Sequence, residues 1–170
     1  MEIEIFEDND NCWTIEDLIG DVPMQIAYTS NRYCLGTEHL SRDQMEARVS
    51  DPSNWHHPVY AYVHSGATLS MRPFSCPWDS GKSGFVYGDK QALAKFFGHK
   101  KWCASTAKRT EDLAATVVRD VDLILQGEIY GYAIRDAEGN EVDRCSGFIG
   151  RQTAEEMAKE TMQYLMGGKQ

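Results

Sequence analysis

Apolar positions recur at two periods along this chain, and the switches between them mark its elements. Ile3 and Ile5 alternate with acids over Glu2 to Phe6, a two-residue period that predicts an edge strand. Asp8 to Asn11 reads as a turn. Thr14 is placed to cap a short helix over Ile15 to Ile19, with Glu16 and Asp17 near its positive end. Pro23 ends that segment, Met24 to Tyr28 reads as a strand, and Asn31 to Gly36 as a loop. Ser41 caps a polar helix through Val49, closed by Pro52. Its few apolar positions, chiefly Met45 and Val49, assign it to the surface. Tyr60 to Val63 and Phe85 to Tyr87 are aromatic and β-branched runs that favour half-buried strands.

The C-terminal half is dominated by helical periods. Asp89 caps a helix from Lys90 to Phe97, with Leu93, Phe96 and Phe97 expected inward and Gly98 closing it. Thr110 is expected to cap the longest helix, running to about Leu125. Leu113, Val117, Val121 and Ile124 form its apolar stripe. Gly127 stops it. Ile129 to Arg135 and Val142 to Ile149 read as strands joined by a turn at Glu138-Gly139-Asn140. Thr153 with Glu156 matches a capping box for a last helix, with Met157, Thr161, Tyr164 and Leu165 as its inner side. Gly167-Gly168 ends that helix, and 167–170 read as a frayed tail. No repeat or linker divides the chain, so 1–170 is expected to form a single compact domain. The order of elements lacks the regular alternation of a parallel doubly wound sheet. It predicts an α+β fold, a mostly antiparallel β-sheet with helices packed largely on one face.

Composition narrows the setting. A chain of 170 residues can bury roughly 70% of its unfolded surface. No apolar run approaches the roughly 20 residues of a membrane span, and the N-terminus lacks a basic, apolar signal pattern. The five cysteines include no C-x-x-C pair, which fits reduced thiols better than a disulfide framework. A cytoplasmic protein with no membrane contact is the expectation. The net charge of −9 argues against direct nucleic-acid binding, where cations must displace phosphate counterions. It suits a basic target surface, or carboxylates that imitate a nucleic acid; the simpler account is a solvated acidic surface. Lys100-Lys101-Trp102, followed by Lys108 and Arg109, is the local basic-aromatic cluster, read mainly as an exposed loop. No glycine-rich phosphate loop is present and no cofactor is expected.

The stretch from His64 to Tyr87, HSGATLSMRPFSCPWDSGKSGFVY, concentrates the chemistry. Leu69 and Met71 alternate with Thr68 and Ser70 as the return arm of a hairpin around Ser65-Gly66. Pro73 and Pro77 stop that strand and stiffen the loop after it. Asp79-Ser80-Gly81 reads as a turn held by the Asp79 carboxylate, Gly84 as a place where another backbone passes closely, and Trp78 as a large apolar plug. PFSCPWDSGKSGFVY, preceded by YVHSGATLS, resembles a family of small, largely uncharacterised proteins of bacteriophages and other mobile elements with an HSG…PFSCPWDSG…GFxY core motif. Arg32-Tyr33 with Leu35-Gly36, Gln126 to Tyr132, and Cys145-Ser146-Gly147-Phe148 with Gly150 also match. The resemblance covers the chain from about Gln25 onward. It implies a mobile-element origin and carries no catalytic residue.

Two uses of this loop follow. As a shape-specific contact presenting Trp78, Asp79, Ser80 and Lys82, it suits an accessory protein that binds a host protein. The target would be a nucleic-acid-binding defence complex, inhibited in the manner of an anti-CRISPR by an occluding acidic surface. As a catalytic element, Cys76 would be a nucleophile, His64 its base and Asp79 the group orienting the base, giving a small thiol-dependent enzyme. The bland account makes Cys76 a small buried hydrophobe, His64 a strand end and Asp79 a turn former. His56, His57, His64 and Cys76 are zinc-type donors without zinc spacing, so no metal site is expected. Tyr60 with Tyr62 and Tyr130 with Tyr132 could line a groove if their strands were neighbours, although burial beneath a helix is the first expectation.

Overall fold

A computed structural model describes residues 1–11, 13–20 and 22–167. In chain order the elements are β1 (Glu2–Glu7), α1 (Ile15–Ile19), β2 (Gln25–Tyr28), β3 (Glu38–His39), α2 (Arg42–Ser50), β4 (Asn54–Val63) and β5 (Ala67–Ser70). They continue with β6 (Ser80–Asp89), α3 (Lys90–Phe96), α4 (Ala104–Gln126), β7 (Ile129–Arg135), β8 (Glu141–Ile149) and α5 (Arg151–Gly167). The fold is α+β, and its elements form two compact units, Thr14–Gln126 and Met1–Trp13 with Gly127–Gln170. The second is assembled from both ends of the chain, so no linker composition marks its boundary.

The larger unit holds a five-stranded sheet in the order β3-β2-β6-β4-β5. All its pairings are antiparallel except β2 with β3. One face carries Ile26, Val59, Ala61, Leu69 and Val86 against α4, with α1 and α3 contributing Ile15, Ile19 and Leu93 to the same core. The opposite face is thinner: Ala27 and Tyr87 pack with Leu40 and with Met45 of α2. Three helices therefore serve one face and one short helix the other. Edge strand β5 is closed by polar groups of α4: Asp122 accepts from the Leu69 N–H at 2.7 Å, and Gln126 donates to the Ala67 carbonyl at 3.0 Å. Satisfying an edge in this way removes a template for stray strand pairing.

The smaller unit is the antiparallel sheet β1-β7-β8 with α5 across one face. Its core joins Tyr132, Ile134 and Ala158, with Ile3, Ile5, Phe148, Met162 and Leu165 around them. On the other face Arg135 lies 3.5 Å from Glu4 and 3.7 Å from Glu141, while Arg144 reaches Glu141 at 3.4 Å and stacks over Phe6.

Capping chemistry places most boundaries. Thr14 and Ser41 each form a complete capping box, with Asp17 and Gln44, and Asp89 accepts from the Ala92 N–H. Gly98 and Gly127 take positive φ just beyond α3 and α4, as helix stops require. Four expectations are corrected. The longest helix begins at Ala104, so Thr110 lies inside it, fully buried, instead of capping it. The last helix begins at Arg151, after Gly150 at φ 81°, and leaves the Thr153–Glu156 box unused. Its inner face is set by Ala154 and Ala158, which let it approach the sheet closely, while Tyr164 is 80% exposed and Met157 also faces outward. Phe96 is exposed and packs edge-on with Phe97. The ending assigned to Gly168 and the tail through residue 170 lie outside the described residues.

Candidate functional site

Residues 71–79 form the loop between β5 and β6. Upstream, the hairpin turn His64-Ser65-Gly66 joins β4 to β5, with Ser65 at φ 62° and Val63 paired to Ala67, and the loop follows directly after β5. Its exit is tied by backbone and hydroxyl groups. The Val63 N–H donates to the Asp79 carbonyl at 2.8 Å, continuing the β4–β6 ladder by one rung, and the Ser80 hydroxyl donates to the Cys76 carbonyl. Ser80 and Gly81 therefore belong to β6, paired with Tyr62 and Ala61, and the turn expected there is absent. Gly84 behaves as its sequence context suggests. A Cβ at that position would collide with the Ala27 carbonyl of neighbouring β2.

Trp78 is 91% exposed, which corrects its expected role as a plug. The local ties at Cys76, Asp79 and Ser80 shape the loop without the indole. Within the same loop and its neighbouring strand, half-buried Phe74 packs against half-buried Tyr62 at 5.9 Å, and exposed His64 stacks on Tyr62 at 6.3 Å. Of the sequence-nominated contact residues, Trp78, Asp79 and Lys82 are exposed and Ser80 is partly so.

The three residues considered for thiol chemistry are divided. The Cys76 thiol lies 4.0 Å from an Asp79 carboxylate oxygen, whereas His64 Nδ1 lies 3.3 Å from the hydroxyl of adjacent Ser65. No hydrogen bond among the described residues joins His64 to Cys76 or to Asp79. A nucleophile needs its base within hydrogen-bond reach, and the carboxylate here meets the thiol instead of the imidazole. The histidines of β4 point to opposite faces, His56 edge-on to Phe85 and His57 beside Trp55, with His57 Nδ1 2.8 Å from the Pro58 carbonyl. Among the described residues no three His, Cys, Asp or Glu side chains converge as a metal site would require. The two tyrosine pairs occupy different sheets: Tyr130 and Tyr132 are buried, and Tyr60 and Tyr62 are half-buried on β4.

Sequence patterns left two features unmarked. Cys103 immediately precedes α4, with its sulfur 3.2 Å from the hydroxyls of both Ser105 and Thr106. Those hydroxyls, Ser105 first, and the Thr106 N–H favour the thiolate and hold this thiol well below its ordinary range, at about 7. Placing the helix start at Thr110 hid this position. Trp102 beside it packs against the larger core, so the neighbouring lysines do not present it as a base-stacking platform. The second feature is a groove of about 950 Å³ between α2 and the β2–β6 region, floored by Phe85, Leu40, Met45 and Val49 and bordered by Arg42 and Lys82. Its two walls are contributed by segments some forty residues apart, which no local pattern joins.

No membrane-crossing helix occurs among the described residues. Comparison with protein-family models, with curated proteins and with solved structures finds no match.

Proposed function

We propose that this protein is a non-catalytic accessory protein of a bacteriophage or mobile element that docks on a host protein through its proline-stiffened loop. The reading is carried by one observation. Trp78 stands 91% exposed at a loop whose backbone is fixed on both sides. A large exposed aromatic on a rigid support has little conformational entropy left to lose on binding and much apolar area to bury. Asp79 follows it directly and is exposed, Ser80 secures its base, and exposed Lys82 lies further along β6.

The setting in phage defence rests on the resemblance around PFSCPWDSG, and the basic character of the target on charge. Residues 1–13 and 127–170 carry 13 acidic against 5 basic side chains. Such a surface suits the nucleic-acid-binding face of a defence complex, which carboxylates would occupy in place of phosphates. The separate partners of His64 and Cys76 favour this reading over thiol catalysis.

Parallel capture from lysate of an immune bacterial host with the wild type and Trp78→Ala tests the proposal. A stoichiometric partner should be retained by the wild type and lost with the variant, while melting temperatures stay alike. Phage carrying the wild-type sequence should plate better on that host than phage carrying the variant. Equal capture by both proteins, or no partner together with no plating advantage, would sink the reading.

A further inference from the structure

The groove in the larger unit is independent of Trp78 and has a chemistry of its own. Its floor is apolar, with Phe85 from β6 and Met45 and Val49 from α2. Its border is cationic: Arg42 and Lys82 stand there beside His39, and Glu46 is the lone acid in the lining. Lys82 is held over the Phe85 ring, with Nζ 4.9 Å from the centroid, so the cation sits directly above the apolar floor. The first turn of α2 also opens here through Ser41, Arg42 and Gln44, and a helix start carries partial positive charge. In a chain of net charge −9, this is a local reversal of sign.

The sheet beside the groove is incomplete. β2 accompanies β6 from Tyr87 to Gly84, and the Thr29 N–H adds one bond to the Ser83 carbonyl. Beyond that point Ser80, Gly81 and Lys82 pair with β4 alone among the described residues, so the second side of β6 opens at Lys82, where the groove begins. An open strand edge next to an apolar trough is the arrangement that accepts an added peptide strand. A second recess of about 270 Å³, which contains Arg32, adjoins the trough at Asn31 and His39. Two adjoining recesses with Arg42, Lys82 and Arg32 distributed over them fit an extended chain better than one small molecule.

We propose that this groove binds an extended acidic segment of a partner protein. Alternate apolar side chains would lie on Phe85 and Met45, and the carboxylates between them would meet Arg42, Lys82 and the start of α2. Alternation is required because successive side chains of a strand point to opposite faces.

Panning a display library of random peptides on the intact protein, then measuring enriched peptides by fluorescence anisotropy and amide chemical shifts, tests this site. Enriched sequences should be acidic with apolar residues at alternate positions, and they should shift the amides of Thr29, Lys82 and Ser83. The double variant Arg42→Glu with Lys82→Glu should weaken binding about tenfold or more. Val49→Trp, which fills the floor, should weaken it as well. Trp78→Ala should leave peptide binding unchanged, which separates this site from the loop and lets either proposal fail alone. No enrichment, a basic consensus, or affinities indifferent to both groove variants would overturn the inference. So would adenosine monophosphate shifting these amides where no peptide is enriched, since the groove would then take a small anion.

Discussion

The two units of this chain draw on similar numbers of acidic residues and use them differently. Thr14–Gln126 balances 13 acidic with 12 basic side chains, whereas the unit built from the two chain ends sets 13 against 5. Nearly all of the net charge of −9 thus belongs to the smaller unit. There the Arg135, Arg144, Glu4 and Glu141 network neutralises part of one sheet face, and Glu156 and Glu160 stay exposed on α5. The larger unit is nearly neutral and carries the specific features, an exposed indole on a tied loop and a cation-bordered groove. Charge excess and shape-specific features therefore lie in different parts of one chain, and a whole-chain charge conceals the division. Whole-surface charge governs encounter rate, while buried anchors govern residence.

Glycine substitutions should give the largest contrast between the units. A Cβ at Gly84 meets the Ala27 backbone, which cannot yield without parting β2 from β6. At Gly131 the first obstacle is the end of the Phe6 ring, which can turn, and the backbone conflict, with the Cys145 carbonyl at 2.9 Å, is milder than the 1.8 Å at Gly84. Gly84→Ala should cost about 4 kcal/mol or more, and Gly131→Ala about 2–3 kcal/mol. Chemical denaturation of both variants would measure the gap, and equal costs would remove the distinction. Trp78→Ala comes next. Binding of the captured partner should weaken by about 2–4 kcal/mol, the range of an interface anchor, with little change in melting temperature. A large fall in stability would make the loop part of the core after all.

Charge should act on rate. Glu156→Lys with Glu160→Lys, both on the exposed side of α5, should slow association with a basic partner by a few-fold and flatten its salt dependence. The dissociation rate should stay nearly constant, and surface plasmon resonance at two ionic strengths would resolve the two. Inside the larger unit, Thr110 is fully buried with no partner for its hydroxyl among the described residues. Thr110→Val keeps the shape and removes the unsatisfied group, so it should raise stability by about 1 kcal/mol. A loss on urea denaturation would show that the hydroxyl is satisfied in solution.

Thiol labelling separates Cys103 from Cys76. With its acid form disfavoured in the fold, Cys103 should alkylate fastest, its rate rising with pH through about 7 as the thiolate forms. The same depression adds stability above the ordinary thiol range, and this is lost as pH falls through about 7. Ser105→Ala should move the labelling midpoint upward by removing the first of the stabilising hydroxyls. Preferential labelling of Cys76 would revive the thiol-enzyme alternative.

Much of the fold was legible because its signals are local. Thr14, Ser41 and Asp89 cap where side chains can reach N–H groups within three residues, and Gly98 and Gly127 stop helices through their own φ. The strand Ile129–Arg135 follows from composition and flanking turns alone. Errors arose where a local signal competed with packing. Thr110 and Thr153 resemble caps, but burial of Thr106, Thr110 and Ala154 carried each helix past them. Met157 and Tyr164 share a plausible stripe, yet the small Ala154 and Ala158 decided which side of α5 could lie close to strands.

The amino-acid sequence by itself determined the α+β class, most element boundaries, the stiff loop and the need for glycine at position 84, since each follows from backbone preferences or near-neighbour hydrogen bonds. Tertiary structure alone decided that Trp78 faces solvent, that His64 and Cys76 take different partners, that the acidic excess falls to a unit made from both chain ends, and that α2 and β6 enclose a groove. Those outcomes depend on which distant segments meet, and no short-range period records a meeting between residues forty or more positions apart.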